Sequence, residues 1–230
     1  MYKGLVTSGC SFSLYDISHN EHGWPYFFQH KLVNEGYFSK EYNSYHRGLG
    51  GNGNMLIARN TYDALNQLLK KGIKGEDILC IVQWSGLSRH QIFLEKDDDY
   101  CLMYSHAGGL GRFYHTYFQN VTNDVINSLW NWITLQNYCE INNVKPYYTF
   151  MFEHDKEMLL DIELGIGKHA WGYLRDDIKR DNVLISITDY LKESTYKSVF
   201  EKDGHPSEKG HKVFSDKCLY PFIKMEIRNV

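Results

Sequence analysis

The feature that most constrains this chain is a regular exchange of two hydrophobic periods along its length. Short apolar runs bounded by turn residues alternate with stretches in which apolar residues recur every three or four positions. Leu5 and Val6, after Tyr2-Lys3-Gly4, make a first strand that runs into the small residues Thr7-Ser8-Gly9-Cys10-Ser11 of a tight turn. Trp24 to Val33, with Pro25 in its first turn, has helical spacing and ends near Gly36. Glu41 to Tyr45 reads as a second strand. From Asn54 the pattern is helical through Ile57, Thr61, Ala64, Leu65 and Leu68, and it stops at Lys70-Lys71-Gly72. Asp77 to Trp84 is a buried strand, Val121 to Leu135 a helix, and Val144 to Phe152 another strand. Shorter helical pieces fill Lys156 to Arg180. A last helix follows Pro206-Ser207, with Pro221 expected to kink or break its end. This alternation predicts a three-layer α/β/α sandwich around a central, mainly parallel sheet, a class that binds ligands at the carboxyl ends of its strands.

The 230 residues contain no Pro/Gly/Ser-rich linker, so residues 1–230 are read as a single domain. Residues 89–117 have scattered aromatics and a Gly108-Gly109-Leu110-Gly111 turn but no decisive period, and they are read as an insertion. Composition then removes several classes of function. With 25 Lys+Arg against 28 Asp+Glu there is no basic field to hold a nucleic-acid backbone. Nothing approaches the ~20 consecutive apolar residues of a membrane span, and the amino terminus lacks the apolar stretch of a signal peptide. The expectation is a cytoplasmic protein without a membrane or nucleic-acid partner. Five scattered cysteines (Cys10, Cys80, Cys101, Cys139, Cys218) fit neither a zinc site nor a disulfide framework and are read mostly as buried thiols. Asp97-Asp98-Asp99 is read as a solvated turn.

Three segments at predicted strand ends carry chemistry: Gly9-Cys10-Ser11-Phe12-Ser13, the glycine-rich Gly48 to Asn54, and Asp203-Gly204-His205-Pro206-Ser207. A serine hydroxyl is a poor nucleophile at neutral pH. Ser11 would need His205 to take its proton and Asp203 to hold the imidazole in the right tautomer, while N–H groups of the glycine loop would supply an oxyanion hole.

In these blocks, and in their order over nearly the whole chain, the sequence resembles the SGNH hydrolase superfamily of GDSL-type lipases and esterases. It is most similar to short phage-type members with Gly-Cys-Ser-Phe near the start and Asp-Gly-His-Pro-Ser near the end. The resemblance implies the SGNH variant of a flavodoxin-like sandwich and hydrolysis of a small acyl ester, such as an O-acetyl group on a carbohydrate, without metal or organic cofactor. It implies Ser11 as nucleophile, with Cys10 where the family has aspartate, and Ser11 and Gly51 as oxyanion donors. The third block, normally Gly-x-Asn-Asp, reads Trp84-Ser85-Gly86-Leu87-Ser88-Arg89. Its asparagine is absent, and Asn54 beside the glycine loop is the candidate replacement. Trp84 and Arg89 are candidate substrate contacts, Arg89 through its paired donors. The last block, usually Asp-x-x-His, is one residue shorter in Asp203-Gly204-His205, and His211 is the alternative base. The phage-type likeness leaves a phage origin and virion association open, and oligomeric state is not set by the sequence.

Rival readings draw on the same residues. Gly48 to Gly53 also satisfies G-x-G-x-x-G, with Glu76 or Asp77 at the distance of a ribose-binding acid. The loop follows the second strand rather than the first, however, and this reading leaves Ser11 and His205 unexplained. His19, Glu21 and His22 are read as a polar loop rather than a metal site, and Trp130 and Trp132 as packing residues. The altered first and third blocks motivate a different class of function, a catalytically impaired binding module that recognises a glycan or a viral or host component.

Overall fold

Neighbouring residues of a strand face opposite ways, and in the central strands of this chain both faces are apolar. The computed structural model describes residues 1–16, 21–94, 99–103, 108–160, 174 and 176–228. Its first half contains β1 (Tyr2–Gly9), the short β2 (Tyr15–Asp16) and β3 (Glu21–His22), α1 (Trp24–Asn34), β4 (Phe38–Gly48), α2 (Asn54–Lys70) and β5 (Ile78–Trp84). Then come β6 (His90–Leu94), β7 (Asp99–Met103), α3 (Gly108–Tyr117), α4 (Val121–Ile141) and β8 (Lys145–Phe150). The chain closes with α5 (Glu153–Leu160), α6 (Ile187–Glu193), α7 (Glu208–Phe214) and α8 (Tyr220–Arg228).

Four parallel strands, in the order β4-β1-β5-β8, form the central sheet of an α/β sandwich. The chain near Val183 continues it beyond β8, where Tyr148 N–H donates to Asn182 and Leu184 N–H donates to Tyr148. Leu5, Leu79, Ile81 and Tyr147 face one side and pack with Phe28 and Leu32 of α1, Leu191 of α6 and Phe214 of α7. Val6, Cys80, Val82, Tyr148 and Phe150 face the other, against Leu65 and Leu68 of α2 and Leu129 and Trp132 of α4. Every residue of β5 is buried, as a central parallel strand covered on both faces requires. The strands end at a common edge, with Gly9 paired to Gly48 and Trp84 to Phe150. Ser11, the loop at 49–53 and the segment at 85–89 all leave the sheet there.

The structure departs from the sequence reading in several places. β1 runs on through Thr7, Ser8 and Gly9, so the expected turn begins only at Cys10. The small residues serve a crowded strand end: a Cβ on Gly9 would lie 2.2 Å from Ser13 Oγ. Residues 89–117 contain the antiparallel hairpin β6–β7 followed by α3, and the glycines read as a turn open that helix. Helix-opposing glycine propensity is overridden there by contacts further along, where Tyr114 meets the rings of His90 and Phe118. Pro221 is the second residue of α8, which continues past it to Arg228. A π turn over Ser215–Leu219, closed by Tyr220 N–H on Ser215 O, separates α7 from α8, so the proline falls in the first turn of a new helix, where its missing N–H is tolerated. Cys10, Cys80 and Cys139 are buried free thiols and Cys218 is half-buried. Asp97 and Asp98 lie outside the described residues, as do residues 161–173 of the stretch expected to hold short helical pieces.

Candidate functional site at the carboxyl edge of the sheet

Ser11 starts a single 3₁₀ turn, Ser11–Ser13, directly after β1. The turn is wound on one carbonyl: Cys10 O accepts from both the N–H and the hydroxyl of Ser13, each at 3.0 Å. As the first residue of a helical turn, Ser11 has an N–H with no acceptor inside that turn. Two glycines let the turn sit on the sheet, since a Cβ on Gly48 would lie 2.1 Å from the Ser13 carbonyl oxygen. Cys10 points away from this surface into the core, its Sγ 3.6 Å from Met151 Sδ.

The opposing group comes from the loop before α7. Gly204 N–H closes a turn on Glu201 O, Gly204 takes a φ of +86°, and Glu201 N–H bonds His205 O. This geometry brings His205 Nε2 to 3.0 Å from Ser11 Oγ, with the imidazole edge-on to Phe12. With only one residue between them, Asp203 addresses His205 twice. Its Oδ1 accepts the His205 backbone N–H at 3.0 Å and its Oδ2 stands 3.1 Å from Nδ1. The second approach is oblique, and Nδ1 has no aligned hydrogen-bond partner among the described residues. The backbone N–H of His205, first, and the neighbouring imidazole hold the Asp203 carboxyl below the usual carboxylate range. His211, one turn into α7, lines the same cavity of about 400 Å³ as Ser11 and His205. It is buried, and burial pushes its pKa down to about 4. The imidazole in contact with Ser11 is that of His205.

The loop after β4 is a β-turn from Leu49 to Asn52, in which Asn52 N–H bonds Leu49 O and Gly51, the third residue, has a φ of +78°. A positive φ there defines a type II turn and explains why this position is glycine. Gly9 O accepts both Leu49 N–H at 3.3 Å and Asn52 Nδ2 at 3.2 Å, tying the loop to the strand that leads into Ser11. Gln91 of β6 donates to Gly51 O. Asn52 and Gln91 were not singled out from the sequence: one is an unremarked polar residue among glycines, the other lies in the segment without a clear period.

Three expected contacts differ. Asn54 is buried, with Nδ2 donating to Ser128 Oγ at 2.9 Å and Oδ1 accepting from Ser85 N–H at 2.8 Å. Its amide is thus engaged in joining α2, α4 and the end of β5. Trp84 is 1% exposed and stacks on Tyr148 within the core, so it is no substrate contact. Arg89 does line a surface cavity, and its Nη1 has no hydrogen-bond partner among the described residues. Trp130, read as packing, is 48% exposed beside the same cavity. Glu76 and Asp77 precede β5, at the opposite edge of the sheet from the glycine loop, where Asp77 pairs with Lys3. This separation removes the dinucleotide reading. Of the polar stretch considered for metal binding, His19 lies outside the described residues and His22 stacks on Tyr26.

Neither a family model nor a curated protein sequence matches the chain. Solved structures do. The psychrotrophic esterase EstA from Pseudoalteromonas sp. superposes with a TM-score of 0.53 at 11% identity, covering 98% of this chain and 99% of that one. A member of the lipolytic G-D-S-L family from Veillonella parvula gives 0.51 at 11% identity, covering 96% and 98%. The lipase Lip_vut3 from a goat rumen metagenome gives 0.52 at 12%, covering 93% and 94%. The chain has the fold of the SGNH hydrolases. No helix among the described residues is long and apolar enough to cross a membrane.

Proposed function

We propose that the protein is a serine esterase that hydrolyses a small acyl ester. The observation that carries this reading is the 3.0 Å contact between Ser11 Oγ and His205 Nε2. His205 takes the hydroxyl proton as Ser11 attacks the acyl carbonyl, and Asp203 stabilises the imidazolium that forms. The tetrahedral oxyanion receives the backbone N–H groups of Ser11 and Gly51. His205 then protonates the departing alkoxide, leaving an acyl-Ser11 that water hydrolyses by the same proton relay. Because the Asn54 amide is engaged with Ser85 and Ser128, it acts as a tie beneath the glycine loop rather than as an oxyanion donor.

A second reading has its own motive in the oblique, solvent-exposed Asp203–His205 pair: a binding module that has lost turnover. One experiment separates the two. A fluorophosphonate probe is applied to wild type and Ser11→Ala, and the adduct is mapped by peptide mass spectrometry. Label on Ser11, absent from the variant, supports the esterase. Folded wild type that takes no label leaves the binding module.

A further inference from the structure

The cavity of about 400 Å³ at Ser11 opens on the histidine side of the nucleophile. There Ser11 and His205 meet His22, Glu201 and Glu208, and the lining includes no residue of the loop at 49–53. His22 is brought to this wall by the β2–β3 ribbon, in which it pairs with Tyr15. A Cβ on Gly23 would lie 2.0 Å from Leu14 O, so the segment is packed against the chain that leaves the Ser11 turn. Tyr26 stacks on the His22 ring at 4.1 Å between centroids and fixes it from one face. His22 Nδ1 stands 3.8 Å from Glu208 Oε1, which places the Glu208 carboxylate beside the same wall.

The charge of this wall is one-sided. Among the described residues, the ion pairs at the cavity are His22–Glu208 and His205–Asp203, and neither includes a lysine or arginine. The lysines of this loop and helix are directed elsewhere. Lys209 Nζ donates to Lys197 O, Lys212 pairs with Asp216, and the exposed Lys202 does not line the cavity. His211 is uncharged at neutral pH, since burial pushes its pKa down to about 4. Glu201 and Glu208, with Asp203 next to them, therefore act on this space without a fixed cation to oppose them. A cleft lined by one sign of charge concentrates the opposite charge within it.

The position of the cavity decides which part of a substrate meets these carboxylates. In the mechanism above the acyl oxygen turns to the glycine loop, and the alkoxide departs beside His205, which protonates it. The acidic wall on the histidine side therefore receives the alcohol portion of the ester.

We propose that this cavity selects esters whose alcohol portion carries a positive charge, an ammonium or quaternary ammonium group, with Glu208 and Glu201 as the specificity-determining residues. Selection among esters rests on the esterase reading above, whereas the preference for a cation does not.

The test reads binding to Ser11→Ala protein, without turnover, by saturation-transfer NMR with three probes of similar shape: acetylcholine, its uncharged carbon isostere dimethylbutyl acetate, and the anionic acetoxybutyrate. Acetylcholine is expected to bind about three- to tenfold tighter than the isostere, the effect that two solvated carboxylates supply, and acetoxybutyrate more weakly than either. The preference should fade in roughly 0.5 M NaCl, where such charges are screened. Combined Glu201→Gln and Glu208→Gln should abolish it, and Glu208→Asp, which keeps the charge, should retain most of it. Binding of the isostere to the same variants verifies that the cavity is intact. Absence of acetylcholine binding, equal affinity for the three probes, or a cation preference that survives both glutamine substitutions would overturn the assignment. Fluorophosphonate labelling of wild type is scored separately. Labelling of Ser11 without a charge preference removes the selection and keeps the esterase, and a charge preference without labelling does the reverse.

Discussion

Asp203 holds His205 through backbone and ring together, Oδ1 on the peptide N–H at 3.0 Å and Oδ2 beside Nδ1 at 3.1 Å. A carboxylate two residues before a histidine reaches that backbone donor naturally, as in an Asx turn. The shortened block therefore keeps the acid beside the imidazole at the cost of alignment with its ring N–H.

The two residues should separate in kinetics. His205→Ala removes the proton acceptor, and kcat on p-nitrophenyl acetate should fall by about 10²–10⁴. Asp203 is 69% exposed and its ring contact is oblique, so Asp203→Asn should cost only about tenfold, far less than for a buried, aligned triad acid. Equal losses for the two variants would show that Asp203 is aligned during turnover.

Acid should weaken the fold through His211. Its pKa in the folded protein is pushed down to about 4 by burial, below the ordinary histidine value of 6.5. Between these values the unfolded chain binds the extra proton, so stability is full above about 6.5 and declines as pH falls towards 4. The loss at the lower end is up to about 3 kcal/mol. Urea midpoints measured from pH 7 to 4 should decline in this way, and His211→Asn should reduce the slope without abolishing it, because burial pushes His46 down to about 4 as well.

Gly48→Ala tests how tightly the nucleophile turn is seated. The new Cβ would stand 2.1 Å from the Ser13 carbonyl oxygen. Side-chain rotation cannot relieve a clash with backbone, so the Ser11–Ser13 turn must move. A shift of this kind should lower kcat about 10²-fold by misplacing Ser11 from His205, with fluorophosphonate labelling slowed in proportion.

Cys10→Asp introduces the acid of the G-D-S-L block that this segment resembles and should nevertheless harm this protein. Position 10 is fully buried against Met151, and an unpaired carboxylate there carries a desolvation cost of several kcal/mol. The thermal midpoint should drop well below that of Cys10→Ala. A Cys10→Asp protein as stable as wild type would mean that the strand end can rotate to expose this position.

Much of the fold could be read from periodicity because those signals are local. The helix read from Asn54 to Lys70 has these bounds in the structure, and the strand ending at Trp84 is as buried as its apolar run implied. The hairpin β6–β7 was not legible, since its stability comes from pairing such as Ile92 with Cys101, which no short window contains. At the site, Ser11, His205 and Asp203 could be named from motif chemistry, and Gly51 from the family resemblance, its positive φ emerging only in the structure. The fates of Asn54 and Trp84 could not, because residue type does not reveal which way a side chain faces at the end of a strand. Trp130 illustrates the same limit in reverse: aromatic spacing along α4 is equally compatible with core and surface, and Trp132 is buried while Trp130 is half-exposed.

Gly9 O accepts from both Leu49 N–H and Asn52 Nδ2, which uses both lone pairs of that carbonyl. The strand end that carries the nucleophile and the turn that carries the proposed oxyanion donor are thereby stapled at a point with no spare valence for solvent. They must travel as one rigid body. Whatever a ligand does to the glycine turn is delivered to Ser11 as a displacement rather than absorbed as slack.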